Sequence, residues 1–233
     1  MTHPAWLVGV RAVAFDLDGT LVDSLQYLVA AANALRQAWQ CPPLSMPRIA
    51  SFVGDGMAAL VARVVCDDPE GQLDTVTLEQ ATAVFRMYYA THLSRHSQVY
   101  PEVLAGLAML RQASLSLAVV TNKPAQFSEP LLAQLGLLSW FNYCLSGDSL
   151  PEKKPSPLPL LTLCERWGLM PTQILMVGDS RNDVQAARAA GCPVVVVPYG
   201  YSHCPAEQLG ADAVLPSVQR LAQLYLGIGD GMA

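Results

Sequence analysis

The stretch DLDGTLVDS, residues 16–24, places two aspartates two positions apart, directly after the apolar run AVAF. Side chains alternate between the two faces of a strand, so Asp16 and Asp18 are expected to point the same way. Two like charges in one small space lower stability unless a counter-ion lies near them. The pair therefore indicates either a turn with a cation nearby or a reaction centre. Gly19 lets the backbone turn sharply at this point.

Polar residues also follow three later apolar runs along the chain. In chain order these sets are Thr121, Asn122 and Lys123; Lys153 and Lys154; and Asp179, Ser180 and Asp183. In an open parallel sheet, ligands bind beyond the carboxyl ends of the strands, so all four sets are expected at one edge of the sheet. We predict a single site built from distant parts of the chain.

The apolar runs themselves suit strands that are covered on both faces. They lie at Val10 to Phe15, Leu115 to Val120, Ile174 to Val177 and Val194 to Val197, with weaker ones at Tyr143 to Leu145 and Ala213 to Leu215. Segments with helical spacing lie between them, and three of these end at Gly136, Gly168 and Gly191, a helix stop signal. Strands that alternate with helices predict an α/β fold with a doubly wound, parallel sheet.

Residues 22–95 interrupt this alternation. They have the spacing of helices and contain no strand candidate of comparable strength. A crossover between parallel strands needs only roughly a dozen residues, so this segment is too long for one. We therefore predict a helical domain over residues 22–95, inserted after the first strand into a core formed by residues 1–21 and 96–233.

The residue types at the predicted site suit a phosphoryl group. Three carboxylates without a nearby His or Cys favour a hard cation such as Mg²⁺ over zinc. Thr121, Asn122 and a lysine ammonium opposite the metal would hold the phosphate oxygens. An aspartate can attack phosphorus and form an aspartyl phosphate. Asp18 would then be a general acid for the leaving alcohol and a base for the hydrolytic water.

The motifs DLDGTLVDS, VTNK, KKPSP and VGDSRND, in this order and at these spacings, resemble the four motifs of the haloacid dehalogenase-like hydrolases. The resemblance implies a Rossmann-like core with an α-helical cap inserted after the first motif. It also implies that Asp16 is the nucleophile, that Asp18 is the acid/base and lends a backbone carbonyl to Mg²⁺, and that Asp179 is the third metal ligand.

The same resemblance implies that Thr121 and Lys154 grip the phosphate. Lys154 is preferred to Lys153 because it directly precedes Pro155, as in the Lys-Pro pattern of the family. Lys153 and Lys123 are interpreted as solvated neighbours of the site.

Longer stretches resemble bacterial phosphoglycolate phosphatases, namely VTNKP, KKPSPLPLL, VGDSRNDVQAARAAGCP and YGY. This closer resemblance implies hydrolysis of 2-phosphoglycolate to glycolate and phosphate. A phosphatase or phosphomutase for another small metabolite, such as a sugar phosphate, stays open as an alternative. A non-catalytic phosphate-binding regulator is a further alternative.

Several polar residues near the motifs have structural interpretations. Asp23 and Ser24 are suited to cap the helix that follows them. Ser180 with Asp183 fits a capping box, so Asp183 is a helix cap, a group that orients a metal-bound water, or both.

The predicted cap contains the loop FVGDG, which is similar to a loop that these phosphatases use near the substrate. Gly54 and Gly56 in this loop either only open the next helix or let its N-terminus meet a substrate carboxylate. Arg48, Arg63 and Arg86 are candidate cations for such a carboxylate.

Composition excludes several classes of protein. Of the 233 residues, 52% are hydrophobic and 14% charged, which rules out disorder. The net charge of −5 and the scattered basic residues give no footprint for nucleic acid. No apolar run approaches the roughly 20 residues that span a bilayer, and AWLVGV lacks the basic region of a signal peptide. Six cysteines without a Cys-x-x-Cys pair indicate reduced thiols. We predict a cytoplasmic protein with a small-molecule phosphomonoester substrate; the oligomeric state stays open.

Overall fold

The protein is built on a six-stranded sheet in which all neighbouring strands run parallel, accompanied by a separate two-stranded antiparallel sheet. This architecture is seen in a computed structural model, which describes residues 3–92, 97–202 and 204–228. The strands are β1 Ala12–Phe15, β2 Val22–Asp23, β3 Gln98–Val99, β4 Ser116–Val120, β5 Tyr143–Leu145, β6 Ile174–Gly178, β7 Val194–Val196 and β8 Ala213–Val214. The order in the large sheet is β5-β4-β1-β6-β7-β8.

The central strands are covered on both faces. All four residues of β1 are buried, which explains why its sequence is apolar without alternation. Val13 and Phe15 contribute to one hydrophobic cluster, whereas Ala12 and Ala14 contribute to a second one. The predicted α/β class, with a Rossmann-like, doubly wound parallel sheet, is confirmed.

Helices connect the strands and supply the layers on either side. They are α1 Leu25–Ala38, α2 Met46–Ala50, α3 Met57–Cys66, α4 Thr75–His92, α5 Val103–Gln112, α6 Ala125–Gln134, α7 Leu158–Trp167, α8 Arg181–Ala190 and α9 Val218–Tyr225, with short 3₁₀ helices at Ala5–Leu7, Leu138–Trp140, Pro171–Gln173 and Ala206–Gln208. Gly136, Gly168 and Gly191 follow α6, α7 and α8 with φ of 69°, 64° and 77°, as predicted for helix stops. Within the described residues, no helix combines the length and apolar character needed to cross a bilayer.

The helices α1–α4, which we call the helical segment, lie between β2 and β3 in the chain. Arg36 of α1 donates from Nη1 to the carbonyl oxygen of Val64 in α3 at 2.6 Å. Tyr27 of α1 and Tyr89 of α4 bring their ring centroids to 4.3 Å. The division into a core and an inserted domain at residues 22–95 stays a prediction, and its boundary between residues 95 and 96 lies outside the described residues.

The antiparallel sheet joins the two ends of this segment. Val22 pairs with Val99, and the N–H of Tyr100 donates to the carbonyl of Leu21 at 3.0 Å. The short strand β2 thus lies just inside residues 22–95, where the sequence contains no strand candidate comparable in strength to those of the large sheet. Two residues are too few to carry a periodic pattern. Pairing with β3 and backbone hydrogen bonds between Val22 and the turn at residues 17–19 hold β2 in place.

Candidate active site

The residues predicted to share a site lie together beyond the carboxyl edge of the large sheet. One cavity has a polar lining that includes Asp16, Asp18, Thr121, Asn122 and Lys154. A second, adjoining cavity is lined by Asp16, Asp18 and Asp179 among others. The four sequence sets thus meet at one place, while the chemical role of each residue stays a prediction.

Asp16 contacts a buried lysine. Lys154 Nζ lies 2.7 Å from Asp16 Oδ1 and 2.6 Å from Asp183 Oδ1. The Lys154 side chain is only 2% exposed, so both ion pairs are shielded from water. Burial alone would lower the pKa of Lys154, but Asp16 and Asp183 outweigh it and raise that pKa. Lys154 therefore remains a cation at neutral pH.

Two side chains that were predicted to have other roles hold Asp18. Ser24 Oγ donates to Asp18 Oδ1 at 2.5 Å, and Lys123 Nζ lies 2.9 and 3.0 Å from the two carboxylate oxygens. Lys123 is buried, so its interpretation as a solvated neighbour is wrong. Ser24 makes no capping hydrogen bond with its side chain, whereas Asp23 Oδ1 accepts the N–H of Leu25 at 3.1 Å. Ser24 thus occupies the N-cap position of α1 as predicted, but the side chain that accepts a hydrogen bond from the first turn is that of Asp23.

Thr121 and Asn122 differ in whether their side chains have a donor proton free for a ligand. Thr121 Oγ1 accepts the N–H of Lys123 at 3.2 Å, so its own proton is available. Asn122 Nδ2 donates to the carbonyls of Gly54 and Lys154 at 2.9 and 2.8 Å, which uses both amide protons. Asn122 therefore ties the loop before α3 to the segment that carries Lys154. Its amide has no proton left for a phosphate oxygen.

The carboxylate of Asp179 packs so closely against Gly19 and Gly200 that neither position has room for a Cβ atom. Its Oδ1 accepts from Thr20 Oγ1 at 3.2 Å, and its Oδ2 accepts the N–H of Tyr201 at 2.7 Å. A Cβ on Gly19 would lie 2.5 Å from Asp179 Oδ2, and one on Gly200 would lie 2.2 Å from it. Gly200 and Tyr201 are site residues that were not predicted from the sequence. Their signal was that they follow β7 at the same sheet edge as the other motifs.

Asp183 is completely buried and accepts four hydrogen bonds. Its Oδ2 accepts from the N–H of Asp179 at 3.2 Å and from the N–H and hydroxyl of Ser180 at 2.9 and 2.7 Å. Its Oδ1 accepts from Lys154 Nζ. The predicted capping role is confirmed, and the same carboxylate also fixes the position of Lys154.

Three carboxylates converge at a position suited to a cation. Asp16, Asp179 and Asp183 each offer an oxygen within 4.8 Å of the others. Since Asp183 already accepts four hydrogen bonds, Asp16 and Asp179 are the two with free capacity. The carboxylate of Asp18 faces Lys123 instead, which leaves its backbone carbonyl as the group that the family resemblance assigns to the metal. Oxygen donors of this kind fit a hard divalent cation.

Comparisons with known proteins agree with this geometry. A family model described as haloacid dehalogenase-like hydrolase matches residues 13–197. The chain belongs to this family. The phosphoglycolate phosphatase of Chromobacterium violaceum is 48% identical to this hydrolase over 92% of the chain and 96% of the relative. The phosphoglycolate phosphatase of Thiobacillus denitrificans is 42% identical over 91% of the chain and 94% of the relative.

Solved structures of the family agree as well. A crystal structure of a predicted phosphoglycolate phosphatase from Haemophilus somnus 129pt has a TM-score of 0.87 and 36% identity to this hydrolase. The match covers 93% of this chain and 98% of that one. These relatives confirm the resemblance seen in the sequence and the predicted enzyme class, a phosphoric monoester hydrolase.

The active site of this hydrolase contains more aspartate carboxylates than buried lysines. Burial raises the pKa of Asp16 to about 7, although Lys154 acts in the opposite direction. Burial, together with Asp16 and Asp183, also raises the pKa of Asp179 well above its usual value. A divalent cation between Asp16 and Asp179 would relieve this repulsion, so the charges support the same conclusion as the donor atoms.

Without metal, we expect the protein to lose stability as the pH rises. The Asp16 carboxyl binds its proton more tightly in the folded protein, with a pKa of about 7, than in the unfolded chain, where 3.8 applies. The contribution of Asp16 to the free energy of unfolding is therefore largest at low pH. It falls as the pH rises toward and through the pKa of this group in the folded protein. The slope approaches ~1.4 kcal/mol per pH unit for one proton. Thermal unfolding in EDTA between about pH 5 and about pH 8 measures it.

Two comparisons accompany this experiment. Mg²⁺ is expected to raise the melting temperature more at the upper end of the pH range, where the carboxylates are ionised. An Asp16→Asn variant should show a shallower decline in EDTA, because it lacks the titrating group. A melting temperature that climbs with pH in EDTA would contradict the expectation.

The loop before α3 is bound to the core by polar contacts around Asp55. Asn182 Nδ2 donates to Asp55 Oδ1 at 2.7 Å, and Lys153 Nζ donates to the Asp55 carbonyl at 2.8 Å. Arg63 Nη1 lies 2.6 Å from Asp55 Oδ2. Burial would raise the pKa of Asp55, but hydrogen bonds from Asn182 and Arg63 lower it overall. Lys153 thus binds the loop, and its interpretation as a solvated neighbour is wrong.

The arginines suggested for a substrate carboxylate lie away from the cavity that contains Lys154. Arg48 pairs with Asp67 at 2.7 Å on the surface, and Arg86 is exposed. Arg63 lines only the adjoining cavity and is already paired with Asp55. By contrast, Gly54 and Gly56 do line the cavity, as expected for a loop near the substrate.

Proposed function

We propose that this hydrolase is a Mg²⁺-dependent phosphomonoesterase that converts 2-phosphoglycolate to glycolate and phosphate through an aspartyl-phosphate intermediate. The observation that carries the substrate assignment is the 48% identity, over nearly the whole chain, to a protein named phosphoglycolate phosphatase. The arrangement of Asp16, Asp18 and Lys154 at one cavity supports the mechanism.

Asp16 is the proposed nucleophile. Its carboxylate attacks phosphorus, the bond between phosphorus and the leaving oxygen breaks, and the phosphoryl group becomes an acyl phosphate on Asp16. Lys154 Nζ, 2.7 Å from Asp16 Oδ1, is positioned to hold a phosphoryl oxygen at the same time. The free proton of the Thr121 hydroxyl is available for a second one. Two opposite charges about 4 Å apart attract by roughly 4 kcal/mol at an effective dielectric of about 20, so a buried lysine is a substantial aid.

Asp18 is the proposed acid and base. It gives a proton to the leaving oxygen in the first step and takes one from the attacking water in the second. Ser24 and Lys123 hold its carboxylate through three contacts, so its orientation is fixed before substrate arrives. Fixed orientation of this kind lowers the entropic cost of proton transfer.

Asp16, Asp179 and the backbone carbonyl of Asp18 are the proposed holders of Mg²⁺. When bound, the cation neutralises charge on the carboxylates and on the phosphoryl oxygens. Thr20, Tyr201, Gly19 and Gly200 keep the Asp179 carboxylate in place for this purpose.

Two adjoining cavities beside Asp16 and Asp18 offer space for a substrate. The cavity shared by Asp16, Asp18 and the helical segment has a volume of about 60 Å³. This corresponds to roughly four to six water-sized groups. The adjoining cavity, which shares Asp16 and Asp18 with it, has a volume of about 360 Å³. We propose that the helical segment acts as a cap that encloses the leaving group.

We also propose that the protein works in the cytoplasm on a small-molecule substrate, without a nucleic-acid or membrane partner. All six cysteines are free thiols, which suits a reducing compartment. The net charge of −5 does not favour binding to a polyanion.

Phosphate release from a panel of phosphomonoesters tests the proposal. We expect 2-phosphoglycolate to be the preferred substrate with Mg²⁺ and to be left unhydrolysed in EDTA. A hexose phosphate preferred by about two orders of magnitude in kcat/KM, roughly 3 kcal/mol, would contradict the substrate. Turnover that survives EDTA would contradict the metal requirement. Binding of inorganic phosphate without turnover of any panel member would support the regulator instead.

A further inference from the structure

Two buried tyrosines in the helical segment keep hydroxyl groups without a hydrogen-bond partner among the described residues. They are Tyr27 of α1 and Tyr89 of α4, and both are 1% exposed or less. A buried donor without an acceptor lowers stability, and folded proteins contain few of them. Two such groups in adjacent rings therefore call for an explanation.

Only one of the two tyrosines belongs to the active-site cavity. Tyr89 lines the cavity together with Asp16 and Asp18, whereas Tyr27 is absent from its lining. Lys123 Nζ lies 4.9 Å from the centroid of the Tyr89 ring and 2.9 Å from Asp18 Oδ1. The cation of Lys123 thus lies between the tyrosine ring and the proposed acid/base.

The other side chains that the helical segment contributes to this cavity are apolar. They are Leu28, Val53, Met57, Leu60 and Phe85. Against such a wall, Tyr89 is the residue with a polar side-chain group that the described part of the helical segment supplies. A leaving group whose polar end accepts hydrogen bonds would find a donor there.

The position of Asp18 fixes which part of a substrate comes near Tyr89. An acid that protonates the leaving oxygen must touch that oxygen, so the leaving group extends into the cavity on the side of Asp18. Tyr89 and Lys123 border that same side. An anionic end on the leaving group would gain both a hydroxyl donor and a nearby positive charge.

We infer that Tyr89 is a specificity-determining residue whose hydroxyl donates a hydrogen bond to the carboxylate of the leaving group. The inference rests on the proposed function and assigns a residue that selects its substrate. A site that hydrogen-bonds a polar group of the substrate rejects an analogue lacking it, because the buried donor is then left unpaired. Tyr89 contributes to selectivity in this way, and the aromatic ring supports Lys123 independently of the hydroxyl.

Tyr89→Phe and Tyr27→Phe form a matched pair of variants for the test. Each removes one buried, unpartnered hydroxyl from rings that touch each other, but of the two residues only Tyr89 lines the cavity. Both variants are expected to melt at or slightly above the wild-type temperature, since neither loses a hydrogen bond. The phenylalanine ring also retains the contact with Lys123.

The readout is kcat/KM for 2-phosphoglycolate and for ethyl phosphate, which has the same two-carbon length without the carboxylate. Tyr89→Phe is expected to lower kcat/KM for 2-phosphoglycolate roughly tenfold or more, the effect of one hydrogen bond to a charged group, and that for ethyl phosphate by no more than about twofold. Tyr27→Phe should leave the ratio of the two values unchanged.

The possible failures can be told apart. A wild-type protein that shows no preference for 2-phosphoglycolate over ethyl phosphate would contradict the proposed substrate and the inference together. A wild-type preference that Tyr89→Phe retains would overturn the inference alone. An equal loss on both substrates would also overturn it, because that result indicates a structural role.

Discussion

The Asp16→Asn variant is expected to lose turnover of 2-phosphoglycolate by a factor on the order of 10⁴ or more. The amide cannot attack phosphorus, so the acyl phosphate does not form. Other groups of the site remain in place, because Lys154 keeps its ion pair with Asp183 at 2.6 Å. Initial rates of phosphate release with saturating Mg²⁺ measure the loss.

Folding controls separate this effect from a structural one. The melting temperature of Asp16→Asn at neutral pH should not fall, because the variant removes a buried charge whose pKa is already raised. Asp67→Asn is the matched control: this carboxylate pairs with Arg48 on the surface, and its φ of 52° suits asparagine. It should retain full turnover. Substantial activity in Asp16→Asn would exclude the aspartyl-phosphate route.

Lys154→Met is expected to reduce both stability and activity. The variant leaves Asp16 and Asp183 buried without their cation, and breaking a buried ion pair on one side costs about 3–5 kcal/mol in the free energy of unfolding. Since a phosphate grip is also lost, we expect turnover to fall by about 10³-fold, the magnitude seen when one charge-stabilising donor is removed. Denaturant unfolding and phosphate release measure the two effects.

The neighbouring lysine provides the comparison. Lys153 is half-buried and donates to the carbonyl of Asp55 rather than to a carboxylate of the site. Lys153→Met should therefore cost about 1 kcal/mol, the contribution of one ordinary hydrogen bond. Adding Asp183→Asn to Lys154→Met should restore part of the stability, because it removes one uncompensated charge. Equal losses in the two lysine variants would show that Lys154 has no special electrostatic role.

The large sheet was predictable because each of its strands carries its own signal. The run from Ala12 to Phe15 is apolar throughout, since both faces of β1 are covered. The glycines after α6, α7 and α8 mark helix ends by their positive φ, which other residues rarely adopt. The pair β2 and β3 has no such local signal, because its pairing depends on the chain returning to the same place after about 75 residues.

Within the site, spacing along the chain predicted which residues meet but not how they pair. Lys123 looks like a surface residue beside a turn, and only its contact with Asp18, far away in sequence, reveals a buried ion pair. Position 200 requires glycine, because a Cβ atom there would lie 2.2 Å from Asp179. Tyr89 has ordinary helical spacing, and its unpartnered hydroxyl becomes visible only once burial is known.

The β2–β3 pair has a consequence for how such a protein can diversify. Because the chain leaves the large sheet and returns to it as two hydrogen-bonded neighbours, a different segment could be joined at the same two points without altering strand order or register. Asp16 and Asp179 lie outside the exchanged part, while Tyr89 lies within it. On the roles proposed above, the residues that attack phosphorus and hold the metal would be kept in such an exchange, whereas Tyr89 and the Ser24 contact to Asp18 would be replaced with the segment.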